Sequence, residues 1–201
     1  NVALNNIAEA TALEVAAAAA GVLNAVTVSG TRVDSTPATP IDDLALKVTA
    51  GKDVESISIN TSINSKLTVG NEAGSAKALS TVDASASTGN IDLDTVALSS
   101  SVATVKTGSG ADKVGLATSL NTTVKAASVS TGAGNDTINV EAVVGTAAAG
   151  QTVTVDAGEG NDVIQLDLVA GIGYNVAAGA GDDTVVIAGT VKTTDKIDGG
   201  A

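Results

Sequence analysis

Residues 130–140 read STGAGNDTINV. Gly132 and Gly134 alternate with small residues, Asp136 follows, and from Thr137 onward apolar and polar residues alternate. Gly and Asp are turn residues, and a period of two is the mark of a half-buried strand. Ordering glycine costs more backbone entropy than ordering any other residue, so a loop this rich in it must meet a steric or chemical demand.

The segment recurs. TGAGNDTI returns as TGSGADKV from Thr107, AGEGNDVI from Ala157 and AGAGDDTV from Ala178, and residues 199–201, GGA, are expected to be a fifth copy cut short. The shared first glycines are Gly108, Gly132, Gly158, Gly179 and Gly200, at intervals of 24, 26, 21 and 21 residues. Three positions before each stands an aliphatic residue: Val105, Val129, Val155, Val176 and Ile197. Six positions after the first four stand Val114, Ile138, Ile164 and Val185. Aliphatic columns at fixed offsets from a recurring loop are what stacked rungs of a parallel β-solenoid require, because each rung covers the apolar face of the next. The pairs Ile138 and Val140, Ile164 and Leu166, and Val185 and Ile187 are expected to point inward.

Upstream the frame persists while the loop chemistry fades. VDASASTGNIDL from Val82 aligns with VDAGEGNDVIQL from Val155, with Ser85 and Ser87 in place of the glycines and Gly89 in place of the Asp. VTAGKDVESISI from Val48 places Val48, Gly51, Ile57 and Ile59 in the same register. These are expected to be rungs without an ion. Asn1–Asn24 is rich in helix formers, and Leu4, Ile7, Ala8, Ala12 and Val15 keep a loose helical spacing, which predicts a helix there. STPATP, residues 35–40, holds both prolines and reads as a connection. The organisation expected is a lead-in over 1–34, β-rich rungs without ion loops over 41–100, and ion-loop rungs over 101–201, cut short within a larger protein.

Composition restricts the chemistry. The chain is 44% hydrophobic yet contains no Phe, Trp, Met or Cys and a single aromatic residue, Tyr174, so short aliphatic side chains must fill a narrow interior. With 22 acidic against 10 basic residues the net charge is −12, which argues against nucleic acid and anionic lipid as partners and favours cations. Without His or Cys the usual zinc ligands and general base are missing, so a metal would be held by oxygen. The most apolar stretch, Thr11 to Val28, is interrupted by Glu14 and Asn24 and is not a membrane span.

A Gly-x-Gly-x-Asp loop offers one carboxylate and several main-chain carbonyls, all hard donors suited to Ca²⁺ with its roughly six to eight oxygen ligands. One loop cannot supply so many, but two loops stacked about 4.8 Å apart can enclose an ion between them. The candidate carboxylates are Asp112, Asp136, Asp162 and Asp183, with Asp156 and Asp198 as additions just before their loops. The loop glycines are Gly108, Gly110, Gly132, Gly134, Gly158, Gly160, Gly179, Gly181 and Gly200.

Across residues 105–201 these copies resemble the RTX repeat, whose consensus is Gly-Gly-x-Gly-x-Asp-x-aliphatic-x. The leading Gly is replaced by Thr107, Thr131, Ala157 and Ala178 and kept only at Gly199, and there is one motif per rung, so one row of ions along one edge is expected. The resemblance implies an all-β, right-handed parallel β-solenoid, the RTX-like β-roll, with Ca²⁺ as its ion. The long Ala/Thr/Ser/Val-rich spacers are similar to those of bacterial surface-layer proteins of the Caulobacter and Campylobacter kind. That similarity implies type I secretion without a cleaved leader, a cell-surface location, self-association into a lattice, and attachment to lipopolysaccharide through regions outside this segment. The other class in view is a secreted RTX adhesin. An ice-binding face would repeat TVT, residues 152–154, at matching offsets, and a sugar site would offer aromatic platforms; neither is in the sequence. An enzyme is not expected: no Ser can pair with a His, and Asp182 and Asp183, adjacent in a turn, point apart.

Overall fold

The computed structural model describes residues 2–5, 13–16, 25–29, 44–50, 54–71, 79–93, 104–116, 119–120, 126–141, 143–144 and 150–201. Within them the protein is all-β, and every strand pairs in parallel with strands of the neighbouring rungs. One sheet stacks β1 (Val2–Asn5), β3 (Ala25–Ser29), β5 (Ser56–Thr61), β7 (Thr81–Asp83), β9 (Thr104–Lys106), β12 (Ala126–Ser130), β15 (Gln151–Asp156), β17 (Ile172–Ala177) and β19 (Lys196–Asp198). The other stacks β2 (Leu13–Ala16), β4 (Leu44–Ala50), β6 (Ser65–Asn71), β8 (Ile91–Leu93), β10 (Lys113–Leu116), β13 (Thr137–Glu141), β16 (Val163–Asp167) and β18 (Thr184–Ala188). The chain alternates between the two sheets, so each circuit contributes one strand to each and the whole is a β-solenoid. A small side pair, β11 (Ser119–Leu120) with β14 (Val143–Val144), lies on the connections from the second sheet back to the first.

The aliphatic columns read from the sequence are the core. Val105, Val129, Val155 and Val176 pair in register and are almost wholly buried, as are Val114, Ile138 and Ile164. Burying a side chain of this size contributes about 1.5–3 kcal/mol, and because each covers its neighbour above and below, stability accrues rung by rung. In the last rung Val185 is only partly buried and Ile187 remains 36% exposed, because β18 has a strand on one side only.

Three expectations are corrected. The described residues of the lead-in are strands rather than helix: Leu4 lies in β1 and Val15 in β2, with Val15 and Val26 buried between exposed or partly exposed neighbours. Stacking on the next rung overrides the helical propensity of the Ala-rich sequence. Ile7, Ala8, Ala12, Gly51 and the connection 35–40 lie outside the described residues. Second, Val48 sits in the second sheet against Val69, and it is Ile57 that pairs with Val82 in the first column, half a turn away from the register read above. Third, after Val82 the chain takes two extra residues to turn, so Leu93 enters the Val114 column and Ile91 lands on the Asp112 position.

Tyr174, expected against a rung or its edge, is inside, 2% exposed on β17. Its hydroxyl donates to the Asp167 carbonyl at 3.1 Å and accepts from the Val169 amide at 3.1 Å, so it ties the turn after β16 from within.

Candidate metal-binding row

The loops joining the two sheets stack directly on one another. Gly134, Gly160 and Gly181 have φ of 126°, 132° and 137°, a region that L side chains rarely adopt. Packing is equally demanding: a Cβ on Gly158 would lie 1.9 Å from the Gly132 carbonyl oxygen, and one on Gly160 would lie 1.8 Å from that of Gly134. Glycine is thus required twice, by backbone angle and by the approach of the neighbouring loop. The loop at 107–112 differs, since neither Gly108 nor Gly110 has a left-handed φ.

Main-chain bonds run from loop to loop. Ala133, Glu159, Ala180 and Ala201 amides donate to the carbonyls of Gly108, Gly132, Gly158 and Gly179 at 3.0, 2.9, 2.8 and 3.2 Å. This engages the first-glycine carbonyls. Among the described residues no such bond uses the carbonyls of Gly110, Gly134 or Gly160.

Two side-chain ladders flank these loops, and they run in opposite directions. The aspartates reach back: Oδ1 of Asp112, Asp136, Asp162 and Asp183 accepts from the amides of Ile91, Asp112, Asp136 and Asp162 at 2.7, 2.7, 2.8 and 2.9 Å. The asparagines beside them reach forward: Oδ1 of Asn64, Asn90, Asn135 and Asn161 accepts from the amides of Asn90, Ala111, Asn161 and Asp182 at 3.0, 2.9, 2.8 and 2.9 Å. Ala111 breaks the second ladder, having no oxygen to offer the Asn135 amide. Ala111→Asn should therefore add one hydrogen bond, about 0.5–1 kcal/mol, and raise the melting temperature by about 2 °C; a thermal melt that does not move, or moves down, would show that the position is not equivalent to Asn135.

The aspartate row is the chemically unusual feature. Asp112, Asp136 and Asp162 are each 1% exposed. The second carboxylate oxygen, Oδ2, of Asp112, Asp136, Asp162 and Asp183 is buried with no hydrogen-bond partner. Burial pushes the Asp112 carboxyl up to about 6, against the pull of the Thr107 hydroxyl and the Ile91 and Gly108 amides. Asp136 and Asp162 are raised by burial too, with the next aspartate of the row adding to it. At the usual rung spacing of about 4.8 Å two like charges repel by about 3 kcal/mol at an effective dielectric near 20. An orphaned buried acceptor costs a further 1–3 kcal/mol or so.

These observations fit a hard cation. The groups that could hold one are the partnerless Oδ2 atoms of Asp112, Asp136, Asp162 and Asp183, with the main-chain carbonyls of the same loops as further oxygen donors. Ca²⁺ would supply positive charge to a file of carboxylates that have no cationic partner among the described residues. Among the described residues no group of three or more carboxylates converges on one point, so any ion would draw on two rungs and on main-chain oxygen. Asp156 and Asp198 do not join the row. Both are exposed at the ends of their strands, and Asp198 Oδ1 instead accepts from the Gly200 amide at 3.1 Å.

Two features escape a reading by motif. The hydroxyls of Thr107 and Thr131, buried at the leading-glycine position, donate to the carbonyls of Thr131 and Ala157 at 3.2 and 2.9 Å. Upstream, where the aspartates stop, Thr61, Ser65 and Ser87 form a buried hydroxyl cluster: Ser87 Oγ accepts from the Thr61 amide at 3.0 Å, and Thr61 and Ser65 both donate to the Ile63 carbonyl. The signal was present in the first case, as two threonines among four departures from the glycine consensus.

Comparison with known proteins returns no matching protein family, no matching curated protein and no matching solved structure. Among the described residues no helix is long and apolar enough to cross a membrane.

Proposed function

We infer that this chain is a calcium-set structural segment of a bacterial surface-layer protein: a solenoid that binds Ca²⁺ between stacked Gly-x-Gly-x-Asp loops and assembles with copies of itself into a lattice on the cell surface. The observation that carries the reading is the file of four buried carboxylate oxygens without partners. An aqueous ion binding only the stacked form stabilises that form by mass action, and extracellular calcium modules work near about 10⁻⁴–10⁻³ M. The chain would stay loose in the low-calcium cytoplasm, pass through a type I exporter, and set outside. The acidic balance, −12, supports a cation as the setting agent. The reading assigns the segment no catalysis, and gives any lipopolysaccharide contact to other parts of the protein. A calcium-stabilised segment of a secreted adhesin uses the same row and differs only in assembly.

The test is a calcium titration of the chain followed by circular dichroism and negative-stain microscopy. β-structure or its melting temperature should increase between EGTA and millimolar Ca²⁺, reversibly, and ordered arrays should form with the ion. A spectrum and melting curve indifferent to Ca²⁺ would overturn the calcium reading; calcium-dependent folding of a persistent monomer would favour the adhesin.

A further inference from the structure

The first sheet ends unevenly. β17 pairs with β15 over its whole length, from Ile172 to Ala177, but β19 covers only Asn175, Val176 and Ala177. Ile172, Gly173 and Tyr174 therefore have a strand on one side and none on the other, and an edge of this kind carries main-chain donors and acceptors that must be satisfied or shielded. The connection from β18 to β19, residues 189–195, does this with two side chains. Asp195 Oδ1 accepts from the Tyr174 amide at 3.1 Å, and the Lys192 ammonium donates to the Ile172 carbonyl and, at 3.1 Å, to the Val169 carbonyl. The two residues also brace each other: the Lys192 amide donates to Asp195 Oδ2 at 2.8 Å, and the Asp195 amide donates to the Lys192 carbonyl at 3.0 Å. Neither charge belongs to an ion pair among the described residues, so both are used as hydrogen-bonding ends directed at the backbone. The ammonium lies 5.7 Å from the centre of the Tyr174 ring. At the start of the connection Gly189 has a φ of 104°, and it passes so close to the preceding rung that a Cβ there would lie 2.7 Å from the Leu168 carbonyl oxygen.

We propose that residues 189–195 form a strap on the end of the solenoid: Lys192 and Asp195 supply the donor and the acceptor that a longer β19 would have supplied, and when they let go, the last rung opens as a unit while the rungs beneath stay closed. The last rung needs a tie of this sort. β18 and β19 each have a strand on one side only, and the exposed large apolar side chains among the described residues, Val186, Ile187 and Val191, all belong to β18 or to the strap. A rung covered on one face gains less from burial than those below it, so it sits at the low-stability end of the fold. Charge-assisted hydrogen bonds to main-chain groups are stronger than neutral ones and offset part of that deficit. The proposal does not depend on the calcium reading.

Tyr174 is the only aromatic residue in the chain, so its fluorescence reports on the strap alone. The experiment measures acrylamide quenching and residue-resolved hydrogen exchange, in one buffer throughout, for the full wild-type chain, for Lys192→Met, which keeps the stem and removes the ammonium, and for Asp195→Ala and Asp195→Asn. Wild-type Tyr174, 2% exposed, should be quenched weakly. Lys192→Met and Asp195→Ala should raise the quenching and speed exchange by about tenfold or more in residues 172–177 and 184–198, with residues 126–141 unchanged. Asp195→Asn, which keeps an oxygen for the Tyr174 amide, should change less than Asp195→Ala. Quenching and exchange that match the wild type in Lys192→Met and Asp195→Ala would overturn the strap. Acceleration spread evenly into residues 126–141, or a variant that unfolds throughout, would overturn it as well, because the rungs beneath are then not independent of it. Equal effects of Asp195→Asn and Asp195→Ala would defeat the role given to the Asp195 oxygen.

Discussion

Gly160→Ala should lower the melting temperature by about 6–12 °C. Two costs combine. The residue holds a φ of 132°, and a Cβ there would lie 1.8 Å from the Gly134 carbonyl oxygen and 3.2 Å from Asn135 Oδ1. A left-handed backbone costs an L residue about 1–2 kcal/mol and overpacking typically 1–3 more, and for a chain of this size each kcal/mol moves the midpoint by about 2–4 °C. The contact is with backbone, which cannot swing aside, so relief requires separating the rungs of β13 and β16. Hydrogen exchange should therefore accelerate on both sides of the substitution, in residues 131–141 and 157–167. Gly70→Ala is the control, since no atom lies within 4 Å of its Cβ and its φ is ordinary; it should move the midpoint by less than about 2 °C. A Gly160→Ala protein as stable as the control would show that the loops are not stacked in this way.

The second large effect is a pH dependence whose sign changes with calcium. The folded-state carboxyls of Asp112, Asp136 and Asp162 lie above the ordinary value of 3.8, chiefly through burial, with Asp112 at about 6. A carboxyl raised by folding favours the folded state fully below its unfolded value, and that contribution is lost as pH rises through the folded value. Metal-free protein should thus be destabilised between about pH 4 and pH 6.5, and its melting temperature should rise on acidification from pH 7.5 to pH 4.5. The partly buried Asp83 carboxyl, held below 3.8 mainly by the Ser85 hydroxyl, acts in the opposite sense, but only at still lower pH. With calcium the slope should reverse, because protons and the ion compete for the same oxygens. Acidification also reduces the overall charge, so the control is the chain with Asp112→Asn, Asp136→Asn and Asp162→Asn, which retains the Oδ1 ladder acceptors and should show a flatter metal-free slope. Parallel curves with and without calcium would rule out an ion among these three side chains.

The sequence carries the solenoid wherever glycine marks the corner. From Val105 onward, loop and column lie at fixed offsets, and the register among Val114, Ile138 and Ile164 follows from counting alone. Upstream of that region the same counting slips, for physical reasons. Both sheets present the same alternation of aliphatic residues, so without a Gly-Asp corner Val48 cannot be told from Ile57 by counting, which puts the rung half a turn out. At Val82 the register was right, but the longer turn moves Ile91 two places, into the aspartate column. Short strands such as β2, whose Leu13–Ala16 sits among alanines, carry too few alternations to outweigh helical composition. The candidate aspartates are legible as a set, and their separation from Asp156 and Asp198 is not, because only the fold reveals that those two side chains lie exposed at the ends of their strands. The opposed directions of the Asp and Asn ladders likewise depend on which amide lies over which side chain.

From Val105 onward the two corners of each circuit obey different rules. Between Val105 and Val114, Val129 and Ile138, Val155 and Ile164, and Val176 and Val185 the spacing never changes, whereas the return from the second sheet to the first carries all the variation in circuit length and also the side pair β11 and β14. Such a scaffold can acquire foreign sequence on its return side, or lengthen by duplicating whole circuits, without detuning the corner where the carboxylates line up.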